Sequence, residues 1–552
     1  MHRLNQLQQA ENEEFDICII GGGATGAGCL LDAQSRGLKA ILVEKHDFAS
    51  ETSSKSTKLI HGGVRYLEQA VKQADLNQYH MVKKALRERL TLIHNAPHLA
   101  HPLALLTPCM SWFEGVYYTA GLKMYDALSG ELSLGKSEWL NKEEALKRNP
   151  ALTHNIHSAV LYYDGQLNDA RYNYSLVKTA IRYGAVALNH TEAMTFEKDR
   201  AGQLTVLHVR DRLTGRLLRV RARLFINATG PFADRIRLMA NPETPRRMRV
   251  SKGVHIIISA DNMQSDAAIL VPKTDDGRVV FIIPYNGKLM IGTTETETDL
   301  TDSEPVVERA EVDYLIDYVN RYFNKPVSRE QVIAGFAGLR PLLQANPNAD
   351  SKELVRDHEV EVDKTTGLVS ILGGKWTTYR LMAKDTIDTC CELLNLDQKP
   401  CLTEHIKLVG AEGYAEDFWK ILVHKYGISE PVARHLNRQY GSESLEIAQL
   451  MHTRPEWKET LSSQTQHTKA EVVFVVRAEM AQTLKDVLAR RFGLELTDWD
   501  TTYQITDTVA DLMAAELDWT TEQRQQAVQD YHAEIEWFRK SAALNARSLA
   551  AS

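Results

Sequence analysis

Three glycines, Gly21, Gly23 and Gly26 in the stretch IGGGATGAG, have the G-x-G-x-x-G spacing with which a backbone cradles a pyrophosphate. The first permits a tight turn, the second lets phosphate oxygens reach main-chain amides, and the third lets a helix pack close to the preceding strand. The helix N-terminus adds amide donors and the positive end of its dipole. Glu44 follows 18 residues after Gly26, where a carboxylate can accept both hydroxyls of a ribose. A second stretch, ETSSKSTKLIHGGVRYLEQ (51–69), gathers hydroxyls, lysines, a histidine, a glycine pair and an arginine. Neither a helix nor a strand favours that mixture, so it reads as a segment built to hold something.

The elements that position these residues follow from the apolar pattern. FDICII (15–20) and AILVEK (40–45) read as strands flanking a helix, a βαβ unit of about 30 residues. That unit predicts an α/β fold with a Rossmann-like, doubly wound parallel sheet and a ligand at the carboxyl ends of its strands. VVFIIPY and LMIGTT, separated by NGK, predict a β-hairpin, and VSILGG a late strand. Beyond Cys401 the strand-like runs thin out. AEVVFVVRAEMAQTLKDVLARRFG reads as one helix with Phe474, Met480, Leu484, Val487 and Leu488 on its apolar face. The chain therefore divides into residues 1–401, with interleaved segments, and a mostly helical domain, 402–552. Its net charge of −7 argues against binding nucleic acid by bulk phosphate neutralisation. The six cysteines include no C-x-x-C pair, so neither a disulfide framework nor a metal centre is expected.

A strand running into Ala-Thr-Gly, LFINATGPFAD (224–234), tilts the dinucleotide from NAD toward FAD, because that short element recurs beside the cofactor in FAD-dependent oxidoreductases. With it the chain resembles the FAD-dependent glycerol-3-phosphate dehydrogenases over most of its length. The resemblance is carried by IGGGATGAGCLLDAQSRG (20–37), TSSKSTKLIHGGVRYLE, KGVHIII, GLRPL, VRDHEV and GGKWTTYRLMA (373–383), in the family's order. Leu30 departs from the family's usual alanine, a packing change that leaves the glycines intact.

The resemblance implies an FAD-binding domain, an interleaved antiparallel-sheet substrate domain and an α-helical C-terminal cap. It implies oxidation of glycerol 3-phosphate at C2, with the hydride going to flavin N5. Segment 51–69 then wraps the flavin: hydroxyls of Thr52, Ser53, Ser54 and Ser56 face its oxygens, and Gly62 and Gly63 let the backbone pass close to its ring. Ala228, Thr229, Gly230, Gly374 and Thr377 join the cofactor contacts, and His61 packs or hydrogen-bonds near FAD, while Lys55 reads as solvated. Arg65, Arg340 and Arg356, with Tyr66 and Lys375, surround the substrate; arginine's planar fork suits phosphate oxygens. His255 and Lys375 are both candidates for the base that takes the C2 hydroxyl proton. Amides opening the GGKWTTYRLMA helix can face the flavin edge where negative charge grows on reduction.

LALLTPCMSWFEGVYYTAGLKMYDAL (103–128) is too interrupted to cross a membrane. It reads either as a core segment or buried hairpin, or as an interfacial patch with Trp112, Tyr117 and Tyr118 at headgroup depth. The second reading suits a peripheral protein on the cytoplasmic face of the cell membrane that meets a lipid surface and passes electrons to quinone. The alternatives are an oxygen-dependent glycerol-3-phosphate oxidase, an amine or hydroxy-acid oxidase of the same superfamily, and a non-catalytic flavin-binding scaffold. The helical domain could support a homodimer.

Overall fold

The computed structural model describes residues 3–63, 76–263, 265–272, 274–344, 358–397 and 399–544. Arg65, Tyr66 and Arg356 lie outside the described residues.

The strand Glu14–Ile20, the helix Ala24–Ser35 and the strand Ala40–Val43 form the expected βαβ unit. The two strands pair in parallel, with Ile17 opposite Ala40 and Ile20 opposite Val43. Residues 17–20 and Ala40–Val43 are continuous buried apolar runs because helices cover the faces of a parallel sheet. Leu217–Asn227 lies beside the first strand and Val186–Leu188 beside the second, also in parallel. Val369–Gly373 adds a fifth parallel strand, edged by antiparallel His358–Val362. The helix Ala24–Ser35 packs between the helices Asp169–Arg182 and Tyr379–Leu393. Ile20, Val43, Asn227 and Gly373 therefore end their strands along one edge of the sheet.

A second, ten-stranded and mostly antiparallel sheet stands against the first. Its long members Met248–Ser259 and Val332–Leu343 pair so that Ser251 faces Arg340 and His255 faces Phe336. On its other side His255 faces Gly292, in the strand Lys288–Gly292. That strand and Val280–Tyr285 form the predicted hairpin, turned by Asn286 (φ 49°) and Gly287 (φ 73°). Two consecutive left-handed residues are what a type I′ turn needs.

The segment 103–128 is not a hairpin. The strand Ala100–Cys109 is buried against Ser158–Leu167. Ser111 then caps the helix Trp112–Ser129 by accepting from the Glu114 amide, and only four residues of that helix are buried.

After Leu402 the described residues contain helices and no strand beyond the isolated Thr460–Thr468 bridge. The stretch read as one helix is two. Lys469–Glu479 stops at Met480, which adopts a left-handed φ of 55°, and a wider helical turn, Asp486–Arg491, follows. Bonds within the same stretch set this break. Asp486 accepts from the amides of Gln482 and Thr483, while Arg491 reaches back to the Glu479 carbonyl. The five apolar positions expected on one face are nonetheless all buried. The helices share one core with the antiparallel sheet, so they do not pack separately. Buried ion pairs also cross to the parallel sheet's side: Arg171 with Glu479 (2.6 Å), Arg491 with Asp47, and His190 with Asp486 (2.9 Å).

Candidate active site

The carboxyl edge of the parallel sheet opens on a cavity of ≈ 350 Å³. Its lining includes Gly21, Gly23, Glu44, Thr52, Ser53 and Gly374. Gly26 fixes how closely the first helix meets the turn: a Cβ there would lie 1.9 Å from the Gly21 carbonyl oxygen. Gly23 brings no side chain to cap that helix, and Ser53 takes the Ala24 amide, so the rest of the helix's positive end is presented to the cavity as backbone. Glu44 follows the second strand directly, with one oxygen accepting from the Gly22 amide (2.6 Å) and the other from the His46 amide (2.8 Å). Burial raises its carboxyl above the usual range, and the two amide bonds oppose that shift.

These features fit an extended dinucleotide: a carboxylate at one end, backbone amides in the middle, and the glycine-rich Gly373–Gly374 turn at the other. Ala228, Thr229 and Gly230 line the cavity, as does Lys375, which is exposed. Thr377 is buried and does not line it. A short tight turn, Trp376–Thr378, precedes the helix Tyr379–Leu393, whose first residue also lines the cavity.

The hydroxyls of segment 51–69 divide. Thr52 and Ser53 line the cavity; Thr52 also donates to the Leu339 carbonyl (2.6 Å), and Ser53 accepts from the Ala24 amide (2.9 Å). Ser54 and Ser56 turn into protein instead, Ser54 toward the Glu51 carbonyl and Ser56 onto Asp169 (2.7 Å). Gly62 is needed for packing on protein, because a Cβ there would lie 2.4 Å from the Tyr125 hydroxyl. Gly63 follows with a left-handed φ of 85°, its amide donating to exposed His61. Lys55 is buried and paired with Glu304 at 2.5 Å, not solvated.

Thr52's bond to Leu339 brings this segment against the strand that carries Arg340. The Arg340 guanidinium lies flat over Gly253, where a Cβ would come within 2.6 Å of it. Its Nη2 donates to Thr293 Oγ1 (2.9 Å) and the Thr294 carbonyl (3.2 Å). Its Nη1 is buried with no hydrogen-bond partner among the described residues. Burial pushes its pKa down. His255 is 3% exposed and stacks on Phe336 with ring centroids 4.8 Å apart. Its Nε2 meets Thr57 Oγ1 at 3.0 Å, and its Nδ1 has no partner among the described residues. Burial, with Arg340 and Lys58 nearby, holds its pKa well below the ordinary imidazole value, so the ring is neutral. Arg340 and His255 do not line the cavity, and each keeps one buried polar atom unused; a desolvated cation and a neutral imidazole are the groups an anionic substrate that loses a proton calls for.

Three supporting residues were not named as site residues in the sequence. Asn173 donates to the Gly22 carbonyl (2.9 Å) and so braces the glycine turn. Trp376 donates to the Ser53 carbonyl (2.9 Å), and Asp169 holds Ser56. Only the Asn168-Asp169 pair, a helix-start signature, could have drawn attention to the last.

The FAD dependent oxidoreductase family profile matches residues 16–380, and the profile "C-terminal domain of alpha-glycerophosphate oxidase" matches residues 401–524. A probable mitochondrial glycerol-3-phosphate dehydrogenase of Caenorhabditis elegans is 42% identical over 94% of this chain and 73% of its own length. The human mitochondrial glycerol-3-phosphate dehydrogenase is 39% identical over 95% of this chain and 74% of its own. The crystal structure of the Bacillus halodurans glycerol-3-phosphate dehydrogenase complexed with FAD superposes with a TM-score of 0.79 at 28% identity, covering 100% of this chain and 99% of that one. The glycine cradle, the two sheets and the helical cap are thus those of a known flavoenzyme architecture, and the chain belongs to the FAD-dependent glycerol-3-phosphate dehydrogenase family.

Proposed function

We propose that this enzyme oxidises glycerol 3-phosphate to dihydroxyacetone phosphate as a peripheral protein on the cytoplasmic face of the cell membrane, and that quinone takes the electrons. The exposed face of the helix Trp112–Ser129 carries the membrane part of this reading. Phe113 is 78% exposed and Trp112 56%, with Val116, Tyr117 and Met124 exposed beside them. Positions 112, 113, 116 and 117 recur at helical spacing and make one apolar stripe. A stripe of this kind, with tryptophan and tyrosine in it, suits the headgroup boundary of a bilayer. No helix among the described residues is long and apolar enough to cross a membrane, so the contact is with the lipid surface.

Gly21, Gly23, Gly26, Glu44, Thr52, Ser53, Ala228 to Gly230 and Gly374 would hold FAD, which when bound supplies the two-electron acceptor for the hydride leaving substrate C2. Arg340 anchors the phosphate: its fork has one arm fixed on Thr293 and Thr294 and one arm unused. The C2 hydroxyl proton goes to the unpartnered Nδ1 of neutral His255. Burial and phenyl stacking keep the ring in one plane. Lys375, exposed at the cavity's edge, serves as a charge partner for the developing oxyanion, while His255 is the base.

Anaerobic addition of glycerol 3-phosphate to the holoenzyme should bleach the flavin absorbance, and a quinone analogue should restore it faster than air. Liposome cosedimentation should retain the protein. Stoichiometric peroxide under air, with no liposome binding, would replace quinone by oxygen as acceptor.

A further inference from the structure

We infer that Thr57 is a positioning residue that fixes the plane of His255, and that Lys58 and Asp169 hold Thr57 in place; this rests on the reading of His255 as base. The two residues flanking Thr57 are tied to one carboxylate. Asp169, the first residue of the helix Asp169–Arg182, accepts from the Ser56 amide (3.1 Å) and the Ser56 hydroxyl (2.7 Å) on Oδ2. Its Oδ1 accepts from Lys58 Nζ at 2.5 Å and from the Ala170 amide at 2.8 Å. Lys58 bridges back to the Ser54 carbonyl, and its own amide donates to Ser56 Oγ at 3.0 Å. Lys58 is 1% exposed and Asp169 0%, so water does not compete for these bonds. A lysine is unusual at a left-handed φ of 59°, a conformation that this closed set of bonds imposes.

Thr57 is the residue left between these anchors, and its hydroxyl meets His255 Nε2 at 3.0 Å. Two further neighbours bound the imidazole. Phe336 covers one face at 4.8 Å with the planes 16° apart, and the Lys58 ammonium lies 5.3 Å from the centre of that phenyl ring. Gly292 leaves room for the ring: a Cβ there would lie 2.2 Å from His255 Cδ2. A base at Nδ1, the nitrogen with no partner among the described residues, requires the tautomer in which Nε2–H donates to the Thr57 oxygen. The same hydroxyl stays in place as acceptor when Nδ1 takes up the substrate proton. Thr57 acts through His255 and makes no contact with substrate in this scheme.

The test compares Thr57→Val, Thr57→Ser and His255→Asn holoenzymes in anaerobic stopped-flow with glycerol 3-phosphate. Valine keeps the shape and removes the hydroxyl; serine restores it. Thr57→Val should slow flavin bleaching at saturating substrate about tenfold to a hundredfold. Half-saturating substrate and flavin content should stay at wild-type values, and Thr57→Ser should recover most of the rate. Should Thr57→Val purify without flavin, Thr57→Ala carries the same comparison. Wild-type bleaching in the valine variant, with His255→Asn inactive, overturns the positioning role alone. Wild-type bleaching in His255→Asn overturns the reading of the base beneath it.

Discussion

Replacing Arg340 by alanine should weaken the enzyme through substrate capture and leave its cofactor in place. The guanidinium is anchored on the antiparallel sheet, with Nη2 on Thr293 and Thr294 and Nη1 buried without a partner among the described residues. Burial already disfavours its charge, as its lowered pKa reports, and an arriving phosphate would supply the missing counter-ion. Truncating one side of such a desolvated charge pair costs ~2–5 kcal/mol. At ~1.4 kcal/mol per factor of ten, kcat/KM should fall about 30-fold to about 4,000-fold. The phosphate stays remote from the reacting carbon, so ground and transition states lose the contact alike and KM should carry most of the change. Dye-linked steady-state assays with glycerol 3-phosphate and with glycerol measure this directly. Preference for the phosphorylated substrate should collapse in the variant, with flavin content unchanged. The resting holoenzyme should also melt at a higher temperature, since a half-buried cation has been removed. A kcat/KM within threefold of wild type, with the preference intact, would refute the assignment.

Gly26→Ala would drive a methyl to within 1.9 Å of the Gly21 carbonyl oxygen, so the variant should purify without flavin, read as the loss of visible absorbance. Glu44→Ala leaves the Gly22 and His46 amides without their acceptor, and at ~1–3 kcal/mol FAD affinity should fall about fivefold to 150-fold, measured by fluorescence titration of apoenzyme. Burial opposes a charged His190, but Asp486 and then Asp47 outweigh it and raise the pKa above the ordinary value. Its stabilising contribution is therefore complete below pH ~6.5 and lost as pH rises through the folded-state value. The melting temperature should decline on that alkaline side, and His190→Gln should flatten the decline. Trp112→Ser with Phe113→Ser should reduce liposome binding by ~1.5–3 kcal/mol for each ring withdrawn from the interface, with dye-linked turnover in solution unchanged.

The parts of this molecule that were legible in the sequence are those whose cause is local. Gly21, Gly23 and Gly26 announce a turn and a helix start within six residues, and Asn286-Gly287 announces a hairpin by its own backbone preference. The errors fall where a distant partner decides. Ser56 looks the same in sequence whether it faces a cofactor or a carboxylate, and what turns it into protein is Asp169, 113 residues away. Lys55 is an ordinary surface lysine by composition, yet Glu304 draws it into the interior. The helix expected to run through Met480 is the exception, breaking for a near cause: Asp486 and Arg491 bind the amides and carbonyls that a continuous helix would use.

The same reasoning explains why His255 and Arg340 could be named but not placed. Their convergence comes from strand register, Ser251 opposite Arg340 and His255 opposite Phe336, which no periodicity along one strand encodes. A one-residue slip of either strand would turn its side chain to the opposite face of the sheet and part it from the other. The register is held by the long buried apolar ladder from Val254 to Ile258, so the site's geometry depends on core residues far more numerous than its chemical ones. Substitutions in that ladder that shift register should therefore abolish substrate capture and proton removal together, while the glycine cradle, built on the other sheet, continues to bind flavin.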